Sequence, residues 1–155
     1  MKQINKYIQE RLHINKDTGN HHYNYHPTTR DELQELVNQL IEERGYNADL
    51  NDIDTSEITD MTTLFNNSKF NGDISGWNVS NVKNMQEMFY NSKFSGKNGD
   101  ISNWDVSNVN NMKYMFIYSY FNGDISNWDV SNVQYMDYMF TRSPLQKNPP
   151  KWYKN

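Results

Sequence analysis

The sequence has no cysteine, which excludes a disulfide framework, a thiolate zinc centre and a cysteine nucleophile. Apolar residues are scarce, at 35% of 155, so a large conventional core is not expected. No run approaches the roughly 18 consecutive apolar residues of a membrane span. The opening residues 1–10 carry charge without an apolar stretch, so they do not read as a signal peptide. The expectation is a cytoplasmic chain, or an extracellular one if an upstream signal has been removed. Positive charge is also missing from the middle. Residues 50–140 hold five Lys or Arg against eleven Asp or Glu, while 1–49 hold six against eight. Such a surface repels phosphate, so direct nucleic-acid binding is disfavoured. The exception is the tail, where Arg142, Lys147, Lys151 and Lys154 have no acidic neighbour in 141–155, and a short basic run of that kind reads as a solvated end.

What is present argues for order. Aromatic residues make up 14% of the chain, and disordered chains are poor in the residues that bury most area. Asparagine occurs 24 times, an excess that points to a repeated motif. Self-comparison finds the motif at once. Residues 72–85, 99–112 and 123–136 agree at every apolar position, with Met85, Met112 and Met136 marking steps of 27 and 24 residues. The longer step reflects three additional residues between Phe94 and Asp100. A degenerate earlier copy runs through Leu50, Ile53, Ile58, Met61, Leu64 and Phe65. The predicted core is thus columnar: Ile74, Ile101 and Ile125; Trp77, Trp104 and Trp128; Val82, Val109 and Val133; Met85, Met112 and Met136; Met88, Met115 and Met139; Phe89, Phe116 and Phe140.

A period in the twenties falls in the leucine-rich-repeat range. The expected fold is therefore an α/β solenoid, leucine-rich-repeat-like, of about 3.5 repeats of 24–27 residues, preceded by an N-terminal α+β capping region. The Asp-Ile-Ser-Asn-Trp run fits a short strand, and Asn-Met-x-x-Met-Phe has the i, i+3, i+4 spacing of one helical turn. The column Asn81, Asn108 and Asn132 could bond turns between coils. The expected division is a hairpin and capping helix over 1–49, the repeats over 50–140 and the basic, Pro-containing tail over 141–155. Ile4, Tyr7, Ile8 and Leu12 suggest a short leading helix. Leu12-His13-Ile14 and Tyr23-Asn24-Tyr25 flank a run of turn formers. The strongest helix signal follows, with Thr28 or Thr29 as N-cap, Asp31 and Glu32 in the first turn, Leu33, Leu36, Val37, Leu40 and Ile41 on one face and Gly45 as the stop.

The repeat, typified by Phe121-Asn122-Gly123-Asp124-Ile125-Ser126-Asn127-Trp128-Asp129-Val130-Ser131-Asn132-Val133 with Met136 and Met139-Phe140, resembles the BspA-type leucine-rich-repeat surface proteins and the related mycoplasma lipoprotein-associated repeat. The resemblance covers about residues 50–140. The region from Tyr25-His26-Pro27 to Asp60-Met61 looks like the leader found before such repeats in proteins of gut bacteria and their mobile elements. The resemblance implies a curved solenoid for protein recognition, often extracellular adhesion, with no catalytic residues to carry over.

His21, His22 and His26 form the one His cluster that could take a metal, but an extended chain sets His22 and His26 too far apart to chelate. The columns Asp73/Asp100/Asp124 and Asp54/Asn78/Asp105/Asp129 raise calcium, yet the Gly-Gly-x-Gly-x-Asp repeat is absent, and turn-capping or solvated Asp is the better reading. No metal and no cofactor are expected. The Trp and Met columns read as core rather than as stacking or thioether sites. No catalytic constellation can be assembled, because every Ser and Asp of interest recurs as a repeat letter. The expected function is a non-enzymatic protein-interaction module. Its candidate partner-binding residues are Asp73, Ser75, Asp100, Ser102, Asp124 and Ser126, on an acidic strand face, and its protein partner is of unknown identity. The alternatives are an inhibitor of a host defence or nucleic-acid enzyme carried by a phage or mobile element, and a surface adhesin. An uncovered repeat end would favour pairing of two copies as a homodimer.

Overall fold

The computed structural model describes residues 16–18 and 21–154. β1 (Lys16–Thr18) and β2 (His21–Tyr23) pair antiparallel, Lys16 opposite Tyr23. Residues 4–12, read as a leading helix, and 12–14, read as a hairpin arm, lie outside the described residues. α1 (Arg30–Arg44) starts at Thr29, whose hydroxyl accepts the Glu32 N–H at 3.2 Å, while the Glu32 carboxylate reaches back to the Thr28 N–H at 2.9 Å. Both bonds satisfy donors that a helix start leaves unpaired. Gly45 ends α1 at φ 90°, a conformation closed to most side chains, and its N–H bonds the Ile41 carbonyl at 2.8 Å. Leu33, Leu36, Val37 and Leu40 are fully buried.

The expected leucine-rich-repeat α/β solenoid does not form, and the solenoid and leucine-rich-repeat descriptions are corrected with it. Past α1 the described residues contain no strand and no α-helix, only a 3-10 turn at Pro144–Gln146. Neighbouring sequence copies meet through single parallel bridges, such as Asp60 with Asn84, Asn84 with Asn111 and Asn111 with Tyr135. Two local causes replace strand and helix by turns. In the Asp-Ile-Ser-x-Trp run, the Asp73 carboxylate accepts the Ser75 N–H at 2.9 Å, and the Trp77 N–H closes on the Ile74 carbonyl at 3.1 Å. The run therefore folds over instead of extending. In the Met-x-x-Met-Phe run, Glu87 and Asn91 have φ of 56° and 49°, which no right-handed helix accommodates. The i, i+3 spacing of Met85 and Met88 is that of a β-turn, with the Met88 N–H on the Met85 carbonyl at 3.2 Å.

These left-handed residues recur in two columns: Thr63, Glu87, Tyr114 and Tyr138, then Asn67, Asn91, Tyr118 and Arg142. Each strains a non-glycine backbone by roughly 1–2 kcal/mol, less for Asn. The compensation is long-range. Left-handed residues aim their N–H groups at the following copy, where Thr63 bonds Gln86 O at 3.0 Å, Glu87 bonds Lys113 O at 3.0 Å and Tyr114 bonds Asp137 O at 3.0 Å. Asn67, Asn91 and Tyr118 do the same to Tyr90, Ile117 and Thr141, at 2.8, 2.7 and 3.1 Å. Met and Phe positions complete the ladder, for example Phe89 on Met115 O and Phe116 on Met139 O, both at 2.9 Å.

Side chains tie the copies further. Asn81, Asn108 and Asn132 each donate to a main-chain carbonyl of the preceding copy, Ser56, Ser80 and Ser107, at 2.6–2.7 Å. The indoles of Trp77, Trp104 and Trp128 reach back to Leu50, Ile74 and Ile101 carbonyls at 2.9, 3.3 and 3.0 Å. Phe65, Phe89, Phe116 and Phe140 stack in file at 5.4–5.8 Å between centroids. A second file, Phe70, Phe94 and Phe121, runs beside the first at 4.6–4.9 Å. Gly72 sits where a Cβ would overlap the Ala48 carbonyl oxygen, so the close approach of neighbouring turns requires glycine there.

Ile74, Ile101, Ile125, Trp77, Trp104, Trp128, Val82, Val109, Met85, Met112, Phe89, Phe116 and Phe140 are buried, whereas Val133 and Met136 of the last copy are only half-buried. The columns simply stop there. Beyond them Leu145, 24 residues after Phe121, is buried, and the Trp152 indole bonds the Ile125 carbonyl at 2.9 Å, extending the Trp series by one member.

Candidate protein-binding surface

The six residues read from sequence as a partner-binding face serve the backbone first. Asp73, Asp100 and Asp124 each use one carboxylate oxygen to accept the N–H of Ser75, Ser102 and Ser126, at 2.8–2.9 Å. There is no strand face for them to project from; they mark turns along one edge of the pile. Hydrogen bonds from Ser126, through its hydroxyl and its N–H, hold the Asp124 carboxyl below the ordinary range. At Asp73 burial pushes upward, but bonds from Ser75 outweigh it and the net direction is down. Bonds from Ser107 bring the Asp105 carboxyl down, outweighing the upward push of the Asp129 charge. Asp73 takes a further bond from the Asn51 side chain, so this edge is acidic but built for turning the chain.

A different surface gathers large exposed side chains. Tyr114, Tyr118 and Tyr138 have left-handed backbone; Tyr118 and Tyr138 are exposed and Tyr114 is half-buried. Tyr114 stacks on Tyr138 at 5.9 Å, and Tyr90 meets Tyr118 edge-on at 6.1 Å. Arg142 lies 5.5 Å from the Tyr118 ring and Lys93 lies 3.9 Å from the Tyr120 ring. Tyr118, Tyr120 and Tyr138 are 42%, 56% and 63% exposed. Hydrogen bonding and charge from Lys93 lower the Tyr120 phenol. The result is an aromatic strip edged by cations. Sequence reading of the columns missed it because Tyr recurs only at 114 and 138, one 24-residue step apart, whereas the columns of Tyr118 and Tyr120 hold Tyr once each.

The two ends of the pile differ. At the first copy, α1 supplies donors in place of a preceding copy: Arg30 Nε bonds Thr62 O at 2.8 Å and Gln34 Nε2 bonds Leu64 O at 3.0 Å. Beside it, Arg44 grips Asp52 through two contacts of 2.9 Å, with Asn24 adding a third at 2.9 Å. Burial pushes Asp52 up, but these bonds and the Arg44 charge leave its carboxyl lower than usual. At the last copy, Trp152 and Tyr153 cover Phe140 at 6.1 and 4.9 Å.

His26 bonds Asp54 through Nδ1 at 3.1 Å, and His22 is exposed. Among the described residues no three His, Cys, Asp or Glu converge on a point that would hold a metal. No helix among them is long and apolar enough to cross a membrane.

Among curated proteins and solved structures, none matches the chain. A family match does, and it runs from α1 through the stacked copies to Tyr153, the span that the structure shows to be continuously bonded. Over residues 31–153, the chain belongs to the family described as Mycoplasma protein of unknown function, DUF285.

Proposed function

We propose that the protein is a non-enzymatic protein-recognition module whose contact surface is the tyrosine strip. The observation that carries the reading is the set of exposed rings Tyr118, Tyr120 and Tyr138, with half-buried Tyr114 stacked on Tyr138 and with Lys93 and Arg142 against Tyr120 and Tyr118. Tyrosine offers a large amphipathic contact with few torsions to freeze, and Tyr and Arg are enriched at interfaces while scattered polar surface is not. Contiguous exposed aromatics with a polar rim are how recognition surfaces differ from ordinary solvent faces. The resemblance of the repeat to BspA-type surface proteins supports an adhesive partner. The acidic Asp-Ser edge supports the second reading, an inhibitor of a nucleic-acid enzyme, because Asp100, Asp105, Asp124 and Asp129 are exposed on one side.

Affinity capture with the full chain separates the two. Partners retained by the wild type and lost by Tyr118→Ser/Tyr120→Ser support the strip. Partners lost only by Asp100→Asn/Asp124→Asn assign recognition to the acidic edge. Retention by both variants overturns the strip and the edge alike.

A further inference from the structure

The chain carries Asn-Gly at three matched places, Asn71-Gly72, Asn98-Gly99 and Asn122-Gly123, each followed by an aspartate. With no Cβ on the glycine, its main-chain nitrogen reaches the side-chain carbonyl carbon of the preceding asparagine, and the pair closes to a cyclic imide wherever the fold leaves it free to do so. The covalent chemistry is the same in all three, but the fold holds them differently. Asn71 is half-buried, and its Oδ1 accepts both the N–H and the hydroxyl of Ser95, each at 2.8 Å. Asn98 donates from Nδ2 to the Asn71 main-chain carbonyl at 2.6 Å. Asn122 belongs to the last copy, where no following serine comes over it. Its side chain is exposed and has no hydrogen-bond partner among the described residues.

The glycines differ in the same sense. A Cβ at Gly72 would meet the Ala48 carbonyl oxygen at 2.0 Å and one at Gly99 the Asp73 Cα at 2.9 Å, both main-chain atoms of the turn stacked against it, whereas the three nearest atoms at Gly123 all belong to the Phe121 ring. Gly72 and Gly99 are buried; Gly123 is half-buried and, with Asn122 and Lys151, lines a cavity of about 350 Å³. We infer that Asn122-Gly123 is a site of spontaneous modification in the folded chain, at which the Asn122 amide is lost. The Gly123 nitrogen gives its proton to solvent hydroxide and bonds Asn122 Cγ; the Cγ–Nδ2 bond breaks, and Nδ2 leaves as ammonia with a proton from water. Water then opens the imide. Breaking the bond from the Gly123 nitrogen to Cγ restores the ordinary main chain with an aspartate at 122. Breaking the bond from the same nitrogen to the Asn122 main-chain carbonyl carbon leaves isoaspartate, with the main chain routed through Cγ and longer by one methylene. Either product adds a negative charge to a chain of formal net charge −4. Lys151 in the cavity lining favours the new carboxylate and Asp124 opposes it. The site is separate from the tyrosine strip and stands whether or not that strip binds a protein.

The test is peptide-mapping mass spectrometry of the full chain after incubation in mildly alkaline buffer made with heavy-oxygen water, with fragmentation that tells isoaspartate from aspartate. Asn122 should take up the label at least about threefold faster than Asn71 or Asn98, since each of those must first give up a hydrogen bond, and isoaspartate should be among its products. In urea, where the fold no longer distinguishes them, the three sites should convert at similar rates. Asn122→Gln, at an exposed side chain without a bond to lose, should abolish conversion at 122 and leave the melting temperature unchanged. The inference is overturned if Asn71 or Asn98 converts as fast as Asn122 in the folded chain, or if Asn122 takes up label in urea and none in buffer. It is overturned as well if the lead of Asn122 is as large in urea as in buffer, which would make it a property of the local sequence and not of the fold.

Discussion

Removing the ring of Phe89 probes the packing at its centre. Phe89 is fully buried and sits in file between Phe65 at 5.5 Å and Phe116 at 5.4 Å, nearly parallel to both, with Phe94 at 4.7 Å beside it. Phe89→Ala deletes contacts to four rings, Trp104 at 6.5 Å being the fourth, and leaves a void whose walls belong to three different copies, so no single turn can collapse into it. Loss of transfer free energy together with the cavity amounts to about 3–5 kcal/mol. That is a large part of the roughly 5–15 kcal/mol that stabilises a domain. For a chain of this size it lowers the melting temperature by about 6–20 °C. The matched control is Tyr135→Ala, at a ring 53% exposed, which should change stability by no more than about 0.5 kcal/mol. Urea unfolding followed by near-ultraviolet circular dichroism reads both. If Phe89→Ala costs no more than Tyr135→Ala, the stacked files do not carry the core and the account of the packing is wrong.

Three further outcomes follow from particular contacts. Glu87 has φ of 56°, so Glu87→Gly should be more stable than Glu87→Ala by about 1 kcal/mol despite glycine's freer unfolded chain; equal stability would mean that the left-handed column is not strained. Arg30→Ala with Gln34→Ala strips the donors from Thr62 and Leu64 carbonyls and should cost about 1–3 kcal/mol for each carbonyl left dry, read by thermal unfolding, with a negligible change contradicting the capping role of α1. Asp52 has a folded pKa below its ordinary 3.8, so its contribution is complete above that value and disappears as the pH falls through the folded pKa. Asp52→Asn should therefore lower stability by about 1 kcal/mol at neutral pH, with the gap to wild type closing below about pH 4. A gap that persists in acid would show that packing, not the Arg44 pair, accounts for the loss.

The apolar columns were legible because the copies are nearly identical, and identical letters at fixed steps leave little choice about which side chains share a layer. The backbone was not legible in the same way. Met85 and Met88 stand three apart in a helical turn and equally in a β-turn, so apolar spacing alone could not separate them. What decides between them is the left-handed backbone at Glu87 and Asn91, and only Asn67 and Asn91 announce that conformation by residue type. Asp73 is read from sequence both as a turn-capping carboxylate and, with Ser75, as part of a projecting face; the chain uses it to close its own turn. The second ring file of Phe70, Phe94 and Phe121 and the burial of Val79 and Val106 were visible as further columns at the same steps. Trp152 was harder, because Pro149 and Pro150 interrupt the motif around it; its distance of 24 residues from Trp128 was the remaining clue. Nothing in the apolar pattern reveals that alternate N–H groups in 61–67, 85–91 and 112–118 reach forward while those of Lys83, Asn110 and Gln134 reach back, since that property belongs to the main chain.

Amide hydrogen exchange, resolved residue by residue on the full chain, tests the forward bonds of residues 61–67, 85–91 and 112–118 most directly, because the matched positions of the last copy have no following copy to bond. The account predicts that Met112, Tyr114 and Phe116 exchange at least about tenfold more slowly than Met136, Tyr138 and Phe140, with Glu87 and Phe89 in the slow group. Equal protection at Tyr114 and Tyr138, and at Phe116 and Phe140, would contradict it.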